Sequence, residues 1–280
     1  MPTIINAKEY KIEKIKELKE IVKNMYIKPN LVILNASNCK ASENYIKNKV
    51  KIAEEIGIEA NVVKFKEDVT ENELINYIQA LNNRKNVHAI ILQSPIYKHL
   101  NYDNIIKYLD ANKDADVFLS YNYGKCFDKN EKLISCTPKG VMNLLKHYNI
   151  ELKGKNAVVL GRSKHVGLML TNLLIQQGAN TTCLNSTAKE TFMENIINEA
   201  DIVVSCVGKE GLIKSDWIKK DATVIGVGIN VKDGKQYTDY DIEDMKKSDA
   251  KYIGDRVNTT GTMTVLSLME NVIELTKRAM

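Results

Sequence analysis

No apolar run in this chain is long enough to cross a bilayer: the longest, AIIL and AVVL, are four residues each, where a spanning helix needs about 20. The opening stretch, MPTIINAKEYKIEKIKE, has no apolar core of the kind a secretory leader carries. Neither a membrane segment nor export is expected. Cysteine is scarce and scattered. Cys39, Cys126, Cys136, Cys183 and Cys206 are odd in number and never spaced C-x-x-C, which argues against a disulfide framework and a zinc site and points to the cytoplasm. The four histidines, His88, His99, His147 and His165, have no second His or Cys three or four residues away, so no metal is expected. Repeats, low-complexity tracts and long linkers are also missing.

What is present is the composition of a soluble globular protein. Of 280 residues, 44% are hydrophobic and 27% charged, enough for one large or two modest domains. The net charge of +5 is spread through mixed runs such as KIEKIKELKE, which read as solvated helix faces and not as a nucleic-acid footprint. LVILNA, ANVVKFK and VHAIILQ are β-branched runs separated by helical patterns, and this order predicts a parallel sheet covered by helices. The rhythm restarts at NAVVLGR and continues through TTCLNS, DIVVSCVG, TVIGVG and KYIGD. Two α/β domains follow. The first is expected over residues 1–136, completed by a C-terminal amphipathic helix at 262–280, and the second over 137–261. Between them CTPKGVMNLLKHYNIELKGK reads as a connecting helix, with Pro138 at a first-turn position that needs no N–H donor.

In the second unit VVLGRSKHVGLMLTNLL passes from a buried strand through a glycine turn into an apolar helix. Gly161 ends the strand and Gly167 lies six residues on, so Ser163 and the turn's N–H groups can face a phosphate at the helix N-terminus. Selection of an unphosphorylated dinucleotide usually places an acid at the end of the next strand. Here that end is Asn185, Ser186 and Thr187, and Arg162 stands in the turn, either pairing with a 2′-phosphate or simply solvated. NADP is favoured over NAD.

In the first unit, ASENYIKNKVKIAEEIGIEA forms an amphipathic helix whose apolar arc holds Ile46, Val50, Ile52, Ala53 and Ile56. Lys49 falls inside that arc, one turn beyond Tyr45. Burying an ammonium disfavours its charged form and makes the neutral amine available as a general base, while snorkelling of the stem is the plainer alternative. Gln93 leaves the end of a buried strand where it can hold such a lysine, and Asp114 and Asp116 precede an apolar pair that can draw one carboxylate in.

Taken in order, ASENYIKNKVK, LQSP, KDAD with NYGK, CTPKG, VVLGRSKHVG, ADIVVSCVG, VGIN, GDRV and GTMT resemble the bifunctional methylenetetrahydrofolate dehydrogenase/methenyltetrahydrofolate cyclohydrolase family over essentially the whole chain. The resemblance implies two α/β domains across a cleft, the second a Rossmann-type parallel sheet binding NADP, with the tetrahydrofolate derivative, polyglutamylated or not, between them. It also implies a homodimer and a place in one-carbon supply, purine biosynthesis included. No nucleic acid or membrane partner is implied. Hydride would pass from 5,10-methylenetetrahydrofolate to NADP, and the methenyl product would be hydrolysed to 10-formyltetrahydrofolate. Carried over residue by residue, Lys49 handles protons, Gln93 positions it, Tyr45 packs against folate and Asp116 grips the pterin. Gly161, Arg162, Ser163, Gly167, Ser186 and Ile229 fall on the cofactor-binding positions.

The chain departs from the family pattern at four places. Val117 replaces the glycine after the pterin-binding aspartate, Tyr97 replaces the second proline of Q-x-P-x-P, and Gly226 replaces the acid of D-x-G-I-N. A proline- and glycine-rich loop before Gly261 is shortened to NTT. The alternatives are a dehydrogenase-only folate enzyme, a hydroxy-acid dehydrogenase of similar build, and a non-catalytic NADP-binding relative. If Arg162 reads the 2′-phosphate, Arg162→Ala raises KM for NADP about tenfold and leaves KM for NAD unchanged. Unchanged values for both cofactors would leave Arg162 a solvated loop residue.

Overall fold

The computed structural model describes the chain except residues 229, 233, 234 and 256–258, and describes the backbone alone at 230–232, 235 and 236. In chain order the elements are β1 (Thr3–Ile5), α1 (Lys8–Lys23), β2 (Asn30–Asn35), α2 (Lys40–Ile56), β3 (Glu59–Lys64), α3 (Glu71–Asn82), β4 (Ala89–Leu92), α4 (Tyr102–Ile106), α5 (Ser120–Lys125) and α6 (Cys136–His147). There follow β5 (Asn156–Leu160), α7 (Met169–Gln176), β6 (Asn180–Leu184), α8 (Glu190–Asn198), β7 (Ile202–Ser205), β8 (Thr223–Gly226), β9 (Asn230–Lys232), β10 (Lys235–Tyr237), α9 (Ile242–Met245), β11 (Tyr252–Gly254) and α10 (Thr260–Arg278). No helix among the described residues is long and apolar enough to cross a membrane.

One compact unit comprises residues 12–136 and 265–280. Its parallel sheet has the order β3-β2-β4. Strand β2 is buried at every residue, as a strand covered on both faces must be. Val32, Leu34 and Ala36 pack on one face with Leu74, Ile75, Ile78 and Leu81 of α3. Leu31 and Ile33 are buried on the opposite face, and so are Ile46, Ile52 and Ile56 of α2. Helix α3 starts on a complete capping box between Thr70 and Glu73, which satisfies two otherwise unpaired N-terminal donors. Its other end is closed by Lys113, whose ammonium donates to the carbonyls of Leu81 (2.9 Å), Asn82 (2.7 Å) and Arg84 (2.8 Å). The part of α10 from Val265 onward belongs to this unit. Asn271 on it donates to Ala115 O (2.9 Å) and Ile134 O (2.8 Å).

The second unit comprises residues 1–11 and 137–264. Its six strands run parallel in the order β1-β11-β8-β7-β5-β6. Alternate residues point to opposite faces. Val159, Val204 and Ile225 meet Leu144, Leu145, Leu170 and Leu174 on one side, while Val158, Val203 and Val224 meet Ile197, Trp217 and Met245 on the other. Residues 1–11, expected with the first domain, lie instead in this unit. The reason is β1, a three-residue strand that pairs Thr3, Ile4 and Ile5 with Tyr252, Ile253 and Gly254 at the sheet edge.

Lys113 supplies a charged donor to three carbonyls that α3 cannot satisfy internally. Lys113→Met is expected to cost about 2 kcal/mol, read as a lower urea midpoint at unchanged slope. An unchanged midpoint would mean that water caps these carbonyls equally well.

Candidate active site and dinucleotide pocket

Helix α2 brings Lys49 into the interior of the first unit, where the residue is 4% exposed. Its ammonium donates to Gln93 Oε1 at 2.9 Å and lies 4.8 Å from the centroid of the Tyr45 ring. Gln93 follows β4 directly, and its own Nε2 donates to Ser94 O at 2.7 Å. That second bond fixes which end of the amide faces the lysine. The lysine is therefore no snorkelling residue: its head is buried and held, and Tyr45, Lys49 and Gln93 form one cluster at the carboxyl end of the sheet.

Asp114 and Asp116 separate into different roles. Asp114, 1% exposed, accepts from the N–H groups of Phe118 (3.1 Å) and Leu119 (2.9 Å) and from Asn122 Nδ2 (3.1 Å). Burial pushes its carboxyl above the usual aspartate range, against the pull of those donors. It anchors its own loop. An isolated bridge pairs Asp114 with Ile90 of β4 in parallel sense, and the chain enters a turn directly after it, at Ala115 and Asp116. Asp116 is only partly buried and meets Cys136 Sγ at 3.6 Å. Tyr102 closes the same corner: its hydroxyl donates to Leu92 O at 3.1 Å, and burial followed by the charges of Asp116 and Asp114 holds its phenol well above the usual range.

The departures have local physical accounts. Val117, fully buried, takes φ 61°, a left-handed conformation costly for a β-branched residue. The Asp114 bonds to the next two N–H groups hold the loop there. Tyr97 donates to Phe65 O at 3.1 Å and lies 3.2 Å from Asn38 Oδ1, tying together segments that a proline could not. Gly226 makes room for its neighbours: a Cβ there would stand 3.0 Å from Thr238 Cβ and 3.1 Å from Tyr240 Cε1. The Tyr240 hydroxyl accepts from Gly226 N–H (3.3 Å) and donates to Gly254 O (2.7 Å).

In the second unit Gly161 leaves β5 at φ 101°, and Ser163 Oγ accepts from Gly167 N–H at 3.4 Å. A Cβ on Gly167 would collide with the Gly161 carbonyl. The two glycines therefore have separate reasons: one turns the chain, and the other lets the helix start approach the turn. A single π turn, Lys164–Leu168, leads into α7. Sheet order reverses at β5, which lies between β6 and β7, the place where open α/β sheets bind ligands. A cavity of about 400 Å³ opens there, lined by Gly161, Ser186, Val207, Lys209, Leu212, Lys214 and Trp217 among others. Arg162 and Ser163 are exposed in the turn beside it. Lys214 pairs with Glu190 at 2.6 Å and lies 4.9 Å from the Trp217 ring centroid. Ile229 lies outside the described residues, as do residues 256–258 of the shortened loop. Thr259 at that loop's end is buried and donates to Asp255 O at 2.8 Å.

Lys209, Lys214 and Trp217 carried no signal in the sequence, because they follow β7 at no fixed spacing from a glycine motif. Among the described residues no group of three or more His, Cys, Asp or Glu side chains could hold a metal ion.

Comparison with known proteins agrees with this geometry in both units. The family model for the tetrahydrofolate dehydrogenase/cyclohydrolase catalytic domain matches residues 5–116, and that for the NAD(P)-binding domain of the same family matches residues 135–280. The bifunctional protein FolD of Staphylococcus aureus is 36% identical over 269 residues, covering 95% of this chain and 92% of that protein. Among solved structures, the bifunctional FolD enzyme of Campylobacter jejuni aligns with a TM-score of 0.94 at 33% identity over 100% of both chains. The Trypanosoma brucei enzyme, solved with NADP and an inhibitor, aligns at 0.93 and 29% identity over 99% of this chain and 98% of that one.

Proposed function

The chain belongs to the tetrahydrofolate dehydrogenase/cyclohydrolase family, and from that membership we propose how its own residues divide the two reactions. The protein oxidises 5,10-methylenetetrahydrofolate to 5,10-methenyltetrahydrofolate with NADP and hydrolyses the product to 10-formyltetrahydrofolate. The observation that carries the division of labour is the buried cluster of Lys49, Gln93 and Tyr45.

When bound, the nicotinamide supplies the hydride acceptor. The turn fits a dinucleotide phosphate: the left-handed Gly161 and the Cβ-free approach at Gly167 bring a strand end and a helix start close together. Ser186 and Lys209 line the adjoining cavity, and Arg162 stands at the turn to pair with the 2′-phosphate. For oxidation the protein's tasks are alignment and exclusion of water. Asp116, partly buried in the turn after Asp114, accepts hydrogen bonds from the pterin and sets the folate's depth in the site. Tyr45 offers a ring face for the pterin to pack against.

Hydrolysis takes one proton from the attacking water and returns it to the departing ring nitrogen, while the second water proton leaves to solvent as the carbinol oxygen becomes the formyl carbonyl. Lys49 performs both transfers. Its amine takes the proton from water, and the Gln93 carbonyl and the Tyr45 ring then face the resulting ammonium at the distances seen here. Gln93 cannot rotate away without breaking its bond to Ser94 O, so the lysine stays aimed.

We assign the active form as a homodimer built on the outer side of β3. Among the described residues this edge strand pairs only with β2, Val62 on it is 43% exposed, and a cavity of about 470 Å³ lined by Asn35, Ile46, Val50 and Val62 opens beside it. Asn35 Oδ1 is buried there without a hydrogen-bond partner. Glu43 and Glu54 alternate with Lys47, Lys51 and Lys64 around the patch, and a two-fold interface, which pairs a patch with itself, can use both signs. The five free thiols support a cytoplasmic location, where 10-formyltetrahydrofolate serves purine biosynthesis.

Lys49→Met is expected to reduce methenyl hydrolysis at least about 100-fold while hydride transfer stays measurable. The two are followed separately as methenyltetrahydrofolate absorbance and reduced nicotinamide. Equal loss of both would overturn the proposed division. Val62→Lys is expected to shift the protein from dimer to monomer in sedimentation equilibrium; an unchanged dimer would move the interface to another surface.

A further inference from the structure

Asp239 follows the β9–β10 hairpin and is fully buried. Its carboxylate faces the backbone of the loop after β7: Oδ2 accepts from Val207 N–H at 3.2 Å, and Oδ1 accepts from Lys209 N–H at 2.7 Å. Its main-chain carbonyl accepts a third bond, from Ile213 N–H at 3.1 Å. One residue thus gathers three amides from a loop 26 to 32 positions earlier in sequence. Gly208, between the first two amides, turns at φ 76°, which brings both N–H groups to the same side. Gly228 approaches so closely that a Cβ on it would collide with both the Asp239 carboxylate and Gly208 N. The segment is itself pinned, since the next residue is Tyr240, whose hydroxyl bridges Gly226 and Gly254.

The loop held this way forms one wall of the dinucleotide cavity, through Val207, Lys209, Gly211, Leu212 and Lys214. We propose that Asp239 is a positioning residue for NADP: it never touches the cofactor, but its carboxylate holds the loop after β7 in the shape that closes the cavity. A carboxylate bonded to two backbone N–H groups is a strong anchor, and its short, stiff stem transmits that order to the wall.

The test measures NADP binding in the absence of folate, by titration of the fluorescence of Trp217, the sole tryptophan, which lines the cavity. Amide exchange at Val207 and Lys209 is read in parallel. Asp239→Ala is expected to weaken NADP binding about tenfold or more and to speed exchange at both amides. Asp239→Asn is expected to fall between, because its amide keeps one acceptor and turns a donor toward the other N–H. KM for methylenetetrahydrofolate should change less than twofold in either variant. NADP affinity at the level of the unsubstituted protein, with the two amides exchanging faster or the melting temperature lowered, would make Asp239 merely structural and overturn the proposal. Should Asp239→Ala fail to fold, the Asn variant decides by the same readings.

Discussion

Parallel strands deliver all their carboxyl ends to one edge of a sheet, and the functional arrangement in both units depends on that constraint. Such strands cannot be joined by tight turns, so each is followed by a crossover that leaves from the same edge. In the first unit the crossover after β2 is α2, which carries Tyr45 and Lys49, and the residue after β4 is Gln93. The bridge from Ile90 to Asp114 brings a further loop against β4, and Tyr102, bonded to Leu92 O, lies near the charges of Asp116 and Asp114. In the second unit the exits from β5, β6 and β7 supply Gly161, Ser186 and Val207 to one cavity. Residues more than forty positions apart meet there without any long-range design beyond strand direction.

Holding a charged amine at such an edge requires that its hydrogen bonds be made inside the protein. Lys49 is buried, and an unpaired ammonium there would cost several kcal/mol. Gln93 answers that need with a neutral acceptor at 2.9 Å. The opposite choice is made at Asp239, where a buried carboxylate is matched by backbone N–H groups alone. Both solutions spend a side chain on geometry. The first holds an amine in place, and the second holds a loop.

Much of this was legible in the sequence, because periodicity and strand-end position are local signals. Lys49 stood out by its place in an apolar arc, Gln93 by its place after a β-branched run, and Gly161 and Gly167 by flanking a turn between strand and helix. What escaped were features created by distant pairing. Strand β1 is three residues long and gains its identity only from Tyr252 to Gly254, so no local pattern ties residues 1–11 to the second unit. Asp239 lies after a hairpin at no recognisable spacing from Val207. Asp114 and Asp116 are two positions apart, and only the bonds of Asp114 to Phe118, Leu119 and Asn122 show which of them turns inward.

The departures from the family pattern show how such a frame absorbs exchange. A β-branched residue at φ 61° is unfavourable by itself, yet Val117 lies between Asp114 and the two N–H groups that Asp114 holds, so the loop keeps its path whichever residue occupies that position. Gly226 removes an acid from the end of β8, and the space is used by Thr238 and Tyr240, whose ring crosses to Gly254. That bridge fixes the residue beside Asp239. An exchange at the end of one strand is thereby tied, through Tyr240 and Asp239, to the loop leaving its neighbour β7, and the cavity wall can retain its shape while the residues supporting it change as a group.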